Sequence, residues 1–295
     1  MKLTRWNTYV VTFLGVIALW SCGTAPRDDN KAGEFDSANV DINDRIQDLA
    51  YEIPSPHEIP YLLQATGAEF NQSLLSNRRK ADSYLARNEK AALNLGVYAA
   101  DVGYLSSYDK TQEAIDYLSV VKMLAENLGV IGSFNSDMLK KFESNISNKD
   151  SLATLIDQAV QKTSSYLKDD NRSKLAAMII TGSFIEGLYI STGLIKTYPK
   201  NLLPDDQRNL ILTPLIRVIL DQEKSVDELV KMLGTVDQSE PIAGILIELN
   251  TLKASYRSLN IKEQIKNNKA NLVLSDKNLE EITKIVEKLR TSIVD

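Results

Sequence analysis

Apolar residues recur with helical spacing over nearly all of the chain after Glu58, and this periodicity restricts the fold more than any other feature. The pattern is clearest in stripes at 115–128, 152–167 and 279–293, with apolar residues at i, i+3, i+4 and i+7. Alternating runs of the strand type are missing, and 13 Gly and 8 Pro in 295 residues are few for a turn-rich β protein. The sequence therefore predicts an all-α fold.

Start and stop signals divide residues 46–295 into eight or nine helices of a single domain. Asp150 and Ser151 precede one stripe as caps, and Gly129 follows another as a C-terminal stop. Pro214 should interrupt a long helix, because proline lacks an N–H and clashes with the preceding turn. Helices are predicted at 58–66, 88–108, 115–128, 135–146, 152–167, 173–197, 205–233 and 240–266, with a last one from 275 or 276 to 293.

Residues 1–21 have the layout of a secretory signal peptide. Lys2 and Arg5 precede an uncharged, mostly apolar run at 9–20. This run is shorter than the roughly 20 residues of an ordinary membrane-spanning helix. The sequence therefore predicts an exported protein whose first 21 residues are removed.

The only cysteine of the chain, Cys22, stands where this signal ends. Leu19, Ser21 and Cys22 resemble the lipobox of bacterial lipoproteins, although Trp20 is bulkier than the usual residue there. The resemblance implies a lipid on Cys22, including acyl chains such as palmitate, and a protein anchored to the outer membrane facing the periplasm or the outside. The alternative is a lone buried cysteine.

Residues 22–45 are predicted to form a flexible acidic tether, because they lack apolar periodicity and are rich in Pro, Gly, Asp and Asn. Within it, Arg27, Asp28 and Asp29 resemble the surface-export signal of Bacteroidetes lipoproteins; a plain solvated linker is the equal alternative. Segments at 53–59, 92–104 and 182–189 also resemble a group of uncharacterised lipoproteins from Bacteroidetes. That resemblance implies the cellular address and the helical class, and no activity.

Charge and residue counts exclude several classes of function. The formal charge is −5, and removal of Lys2 and Arg5 makes it −7, which disfavours nucleic acid as a partner. One histidine, His57, and one cysteine leave no di-iron bundle, zinc finger or internal disulfide. No Walker loop, dinucleotide turn or nucleophile elbow is found, so no metal or cofactor is predicted. The basic cluster at 78–80 is interpreted as a solvated helix start, or as a contact for an anion.

Two segments of the chain suggest an internal duplication. At an offset of 85 residues, Ala91 aligns with Ala176, Asp101 with Glu186 and Tyr104 with Tyr189. Each segment is followed by a similar five-residue sequence, at 120–124 and at 229–233. Two related helical hairpins would result.

Asp101 and Glu186 are the candidate site residues, because each stands among apolar and small residues that include Gly96 or Gly182. Small residues let a second backbone approach, and a buried carboxylate must be hydrogen-bonded, paired or protonated. The expected polar partners are Asn94, Tyr98, Tyr104, Tyr108, Thr181 and Tyr189. One interpretation is a polar pocket between two helices, and the other is a structural pair that ties helices together. Glu186 also makes the apolar stretch 175–195 an internal helix rather than a membrane span.

The leading functional hypothesis is a non-catalytic binding or scaffold lipoprotein of the cell envelope that contacts an envelope protein. The alternative is an envelope hydrolase that uses Asp101 and Glu186 for acid–base chemistry.

Overall fold

The computed structural model describes residues 64, 67–130, 136–145, 148, 151, 155, 170–198, 204, 207, 212, 216–259 and 276–295. These residues are 81% helical and contain no strand, which confirms the all-α prediction. The predicted signal, Cys22, the tether and nearly all of the predicted helices 58–66 and 152–167 lie outside the described residues.

Seven α-helices and two 3-10 segments have defined bounds in the described part of the chain. The 3-10 segments are Gln72–Leu74 and Arg78–Tyr84. The α-helices are α1 (Asn88–Ser107), α2 (Thr111–Asn127), α3 (Ser136–Asn145), α4 (Asp170–Thr197), α5 (Glu223–Gly234), α6 (Ile242–Ser258) and α7 (Asp276–Val294).

Gly129 ends α2 as the sequence predicts. Its φ of 65° is the left-handed conformation that glycine adopts without strain. The N–H of Gly129 donates to the carbonyl of Glu126, and that of Val130 to the carbonyl of Ala125, both at 3.0 Å. Two carbonyls that α2 leaves unpaired at its end are thereby satisfied.

The helix predicted at 205–233 has a break that Pro214 does not explain. Residue 214 lies outside the described residues, whereas 216–220 are helical, Asp221 and Gln222 form a turn, and α5 begins at Glu223. The side-chain amide of Gln222 donates to the carbonyl of Val218 at 2.9 Å, and the carbonyl of Gln222 accepts the N–H of Val226 at 3.0 Å. Gln222 therefore ends one helical segment and starts the next without any proline or glycine.

Helices α1 and α4 run side by side in the same direction, and their backbones touch. Near their starts, Lys174 Nζ lies 3.3 Å from Glu89 Oε1. A Cβ placed on Gly96 would lie 2.0 Å from the carbonyl oxygen of Ile179, and one on Gly182 would lie 1.9 Å from that of Leu93. The close approach expected from the small residues is therefore present, and it requires glycine at both positions.

Four other helices join this central pair, either directly or through a neighbouring helix. Helix α2 folds back on α1, α7 packs against both α4 and α6, and α5 packs against α6. Ser173–Thr197 is long and apolar enough to span a membrane, but 72% of its most apolar 18-residue window is buried inside the protein. This burial agrees with the internal position expected from Glu186.

Positions related by the offset of 85 residues face each other across the central pair. Glu89 pairs with Lys174, and Asp101 and Glu186 both bind Ser76. The similar five-residue sequences at 120–124 and 229–233 lie within α2 and α5. The first hairpin, α1 with α2, is present, whereas α5 packs mainly against α6 rather than α4, and the duplication stays a prediction.

Candidate functional site

Asp101 and Glu186 meet at a serine that precedes the second 3-10 segment. Both carboxylates are 0% exposed, and Ser76 is 3% exposed. The backbone N–H of Ser76 donates to Asp101 Oδ2 at 3.2 Å, and its hydroxyl donates to Glu186 Oε1 at 3.3 Å. The two carboxylates that the sequence singled out therefore belong to one buried cluster.

The cation of this cluster is Arg290, from α7. Its Nε donates to Glu186 Oε2 at 3.0 Å, and its Nη2 donates to Glu186 Oε1 at 3.1 Å. Nη2 also donates to the hydroxyl of Ser76 at 2.9 Å, and the guanidinium lies over the ring of Tyr189, 4.4 Å from its centroid. Such a two-pronged pair fixes the orientation of both side chains, and removal of one partner would leave a buried charge uncompensated.

The two carboxyl groups of the cluster differ in how strongly their surroundings favour a proton. Burial, and then the charge of Glu186, raise the pKa of the Asp101 carboxyl well above its usual range. Burial also raises the pKa of Glu186, but the charge and hydrogen bonds of Arg290, and then the hydrogen bond from the hydroxyl of Ser76, oppose that rise. We therefore assign the proton to Asp101, which leaves ionised Glu186 balanced by Arg290.

The tyrosines and Asn94 do not bind these carboxylates, contrary to the expectation from sequence. Asn94 donates to the carbonyl of Ile293 at 3.1 Å, and Thr181 donates to the carbonyl of Ala177 at 2.7 Å. The ring of Tyr108 packs on those of Phe70 and Tyr104, and its hydroxyl has no hydrogen bond within the described residues. The partners that the carboxylates do have lie on elements remote in sequence from α1 and α4.

Three tyrosine hydroxyls instead hold residues 71–77, which we call the clamped loop. Tyr104 donates to the carbonyl of Asn71 at 3.2 Å and accepts its N–H at 2.8 Å. Tyr117 donates to the carbonyl of Ser76 at 2.7 Å, and Tyr98 donates to the carbonyl of Asn77 at 2.9 Å. Burial raises the pKa of Tyr104 to about 12 and raises those of Tyr98 and Tyr117 as well, so all three remain protonated donors at neutral pH.

A surface cavity of about 490 Å³ opens beside the clamped loop. Arg78 and Arg79 lie on its wall with two side-chain amides, a serine, a leucine and a tyrosine. The lining residues are Gln72, Leu75, Ser76, Asn77, Arg78, Arg79 and Tyr117. The floor is therefore tied to the buried cluster through Ser76, whereas neither carboxylate reaches the cavity.

A scan against protein-family models, a search of curated proteins and a search of solved structures each found no match. The function therefore has to be inferred from the geometry of the site. Within the described residues, no group of three or more His, Cys, Asp or Glu side chains is arranged to hold a metal ion. What the geometry offers is a closed charge cluster and an open, basic cavity beside it.

Sequence reasoning missed Ser76, Tyr117 and Arg290. A usable signal existed for Arg290, because it stands four residues after Val286 and three before Ile293, on the apolar stripe of α7. A basic residue on a buried stripe indicates a buried partner of opposite charge. No comparable signal marks Ser76, whose role depends on loop geometry.

Proposed function

We propose that this chain is a lipid-anchored lipoprotein of the cell envelope whose helical domain acts as a non-catalytic binding or scaffold domain. The non-catalytic assignment rests on the burial of the two carboxylates, which keeps them from any substrate. Asp101 and Glu186 are both 0% exposed, and Glu186 is engaged by two nitrogens of Arg290. General acid–base catalysis needs a carboxyl within hydrogen-bond reach of substrate, and this pair offers none.

The sequence that leads up to Cys22 supports the proposed location in the cell envelope. An apolar run of signal length ends at the only cysteine of the chain, and the mature chain that follows is acidic. Anionic membrane surfaces repel such a chain, so lipid must supply the anchoring, at about 0.8 kcal/mol per buried methylene. An outer-membrane site facing the periplasm or the outside, with an envelope protein as partner, follows from this proposal.

The address is tested by fractionation of cells that express the full chain. Wild type should partition with the membranes, and mass spectrometry of its mature N-terminus should show a lipidated Cys22. Cys22→Ser should leave the membrane fraction, whereas Ser21→Ala keeps a small residue before the cut and should stay there. A mature N-terminus elsewhere, with Cys22 unmodified, would refute the lipid anchor.

The non-catalytic assignment is tested against envelope polysaccharides. Wild type and Asp101→Asn should release the same background of reducing ends. Product that wild type releases and folded Asp101→Asn does not release would establish the hydrolase and overturn the scaffold proposal. Circular dichroism of the variant provides the folding control.

A further inference from the structure

The cavity beside the clamped loop has the size of a small-molecule site. Its volume of about 490 Å³ lies within the roughly 300–1,000 Å³ typical of ligand pockets. Two consecutive arginines, Arg78 and Arg79, line its wall, in a chain whose net charge is −5. A local excess of cations on an acidic protein favours an anionic occupant.

The backbone of the cavity wall is fixed from behind. Residues 71–77 include only three residues of 3-10 helix, yet the loop receives hydrogen bonds from three buried tyrosines. Asp101 also accepts the N–H of Ser76, and Arg290 donates to the hydroxyl of Ser76. A loop ordered in advance loses little entropy when a ligand binds, which is how binding sites gain affinity.

The two arginines are held differently. Arg78 is oriented by Asp116 Oδ2, at 2.9 Å from its Nη1, and by the ring of Tyr117, whose centroid lies 5.3 Å from its Cζ. The Arg79 backbone N–H donates to the side-chain oxygen of Asn77 at 3.0 Å, and its guanidinium has no ion pair within the described residues. Arg79 is thus the cation available to a ligand, with Arg78 as an oriented second contact.

We propose that this cavity binds a small, polar molecule with a carboxylate or phosphate group. Arg79 and Arg78 bind the oxyanion, because a guanidinium matches carboxylate and phosphate oxygens in pairs. The side-chain amides of Gln72 and Asn77 bind hydroxyl groups of the same molecule. This inference deepens the proposed binding function and rests on it, and it assigns the buried cluster and the tyrosines the task of positioning the cavity wall.

The test uses the full lipidated chain in detergent micelles at low ionic strength. Glycerol phosphate is titrated and followed by phosphorus NMR, and glucuronate by saturation-transfer NMR. We expect saturable binding of at least one probe, weakened at least ten-fold in Arg79→Gln. The matched control is Arg217→Gln, because Arg217 is also exposed but does not line the cavity, and its affinity should change less than two-fold.

Each outcome decides the inference. Binding of glycerol phosphate alone or of glucuronate alone, with the expected loss in Arg79→Gln, supports the cavity and identifies its preferred anion. No saturable binding of either probe, or equal affinity in Arg79→Gln, overturns it and leaves the membrane attachment to be judged by fractionation. Turnover of a bound probe would leave the cavity assignment intact and overturn the non-catalytic function instead.

Discussion

Replacement of Gly182 by alanine should separate the two central helices. The added Cβ would lie 1.9 Å from the carbonyl oxygen of Leu93, so the backbones must part by about 1.5 Å to restore ordinary contact. The obstacle is backbone, which cannot rotate away as a flexible side chain would. Overpacking of this kind costs about 1–3 kcal/mol and more in rigid places, whereas alanine regains about 1 kcal/mol of helix propensity.

We therefore expect Gly182→Ala to lower the free energy of unfolding by about 2 kcal/mol, the upper end of the overpacking cost less the gain in helix propensity. The thermal midpoint should fall by roughly 4–8 °C, since each kcal/mol is worth about 2–4 °C in a domain of this size. Gly96→Ala should behave alike, because its Cβ would lie 2.0 Å from the carbonyl oxygen of Ile179. The double variant should cost less than the two single losses together, because one separation relieves both clashes.

Gly234→Ala is the control, because a Cβ there would meet nothing within 4 Å. It should match wild type or gain up to about 1 kcal/mol. Thermal and urea unfolding, followed by circular dichroism, measure all four variants. A Gly182→Ala protein within about 0.5 kcal/mol of wild type would refute the backbone contact between α1 and α4.

Three further predictions concern the buried cluster. Glu186→Gln should lower the free energy of unfolding in urea by about 3–5 kcal/mol, because it leaves Arg290 buried without a counterion. An unchanged or higher urea midpoint would contradict the ion pair. The stability of Asp101→Asn should stay within about 1 kcal/mol of wild type, because the Asp101 carboxyl is already protonated. Asp101→Ala should lose about 1–3 kcal/mol of stability, because it leaves the N–H of Ser76 unpaired. Equal losses in the two variants would argue against a protonated Asp101. Because the folded protein binds this proton more tightly than the unfolded chain, Asp101 should contribute stability that is fully present below its ordinary pKa of 3.8 and is lost as the pH rises through its raised value in the folded protein. The stability of wild type relative to Asp101→Asn should thus fall with rising pH, and a difference that is flat with pH would count against a protonated Asp101.

Local patterns predicted the helices well where the apolar stripe and its boundaries coincide. α1 was expected at 88–108 and α7 from 275 or 276 to 293, and the structure has Asn88–Ser107 and Asp276–Val294. The break at Gln222 was not predicted, because no proline or glycine marks it. It is accompanied instead by a hydrogen bond from the side-chain amide of Gln222 to a backbone carbonyl. Helical periodicity indicates which face of a helix is buried, but it does not indicate where a helix ends in a turn.

The candidate site was predicted only in part, and the reason is sequence distance. Burial of Asp101 and Glu186 follows from their apolar neighbours on the same helix, so a local pattern reveals it. Their partners come from a loop and from α7, and Arg290 stands 104 residues after Glu186. Tyrosines on the same helices were the natural guess, but the hydroxyls of Tyr98 and Tyr104 bind the backbone of the clamped loop instead.

The long reach of the charge cluster has a consequence for biosynthesis. Arg290 binds Ser76 across 214 residues and Glu186 across 104, so the cluster closes only after nearly the whole chain is available. Until then Glu186 has no counterion, and the apolar faces of α1 and α4 lack the cover of α7. Contacts so distant in sequence form late and slowly. The charge cluster is therefore among the last parts of the core that can form as the chain is synthesised.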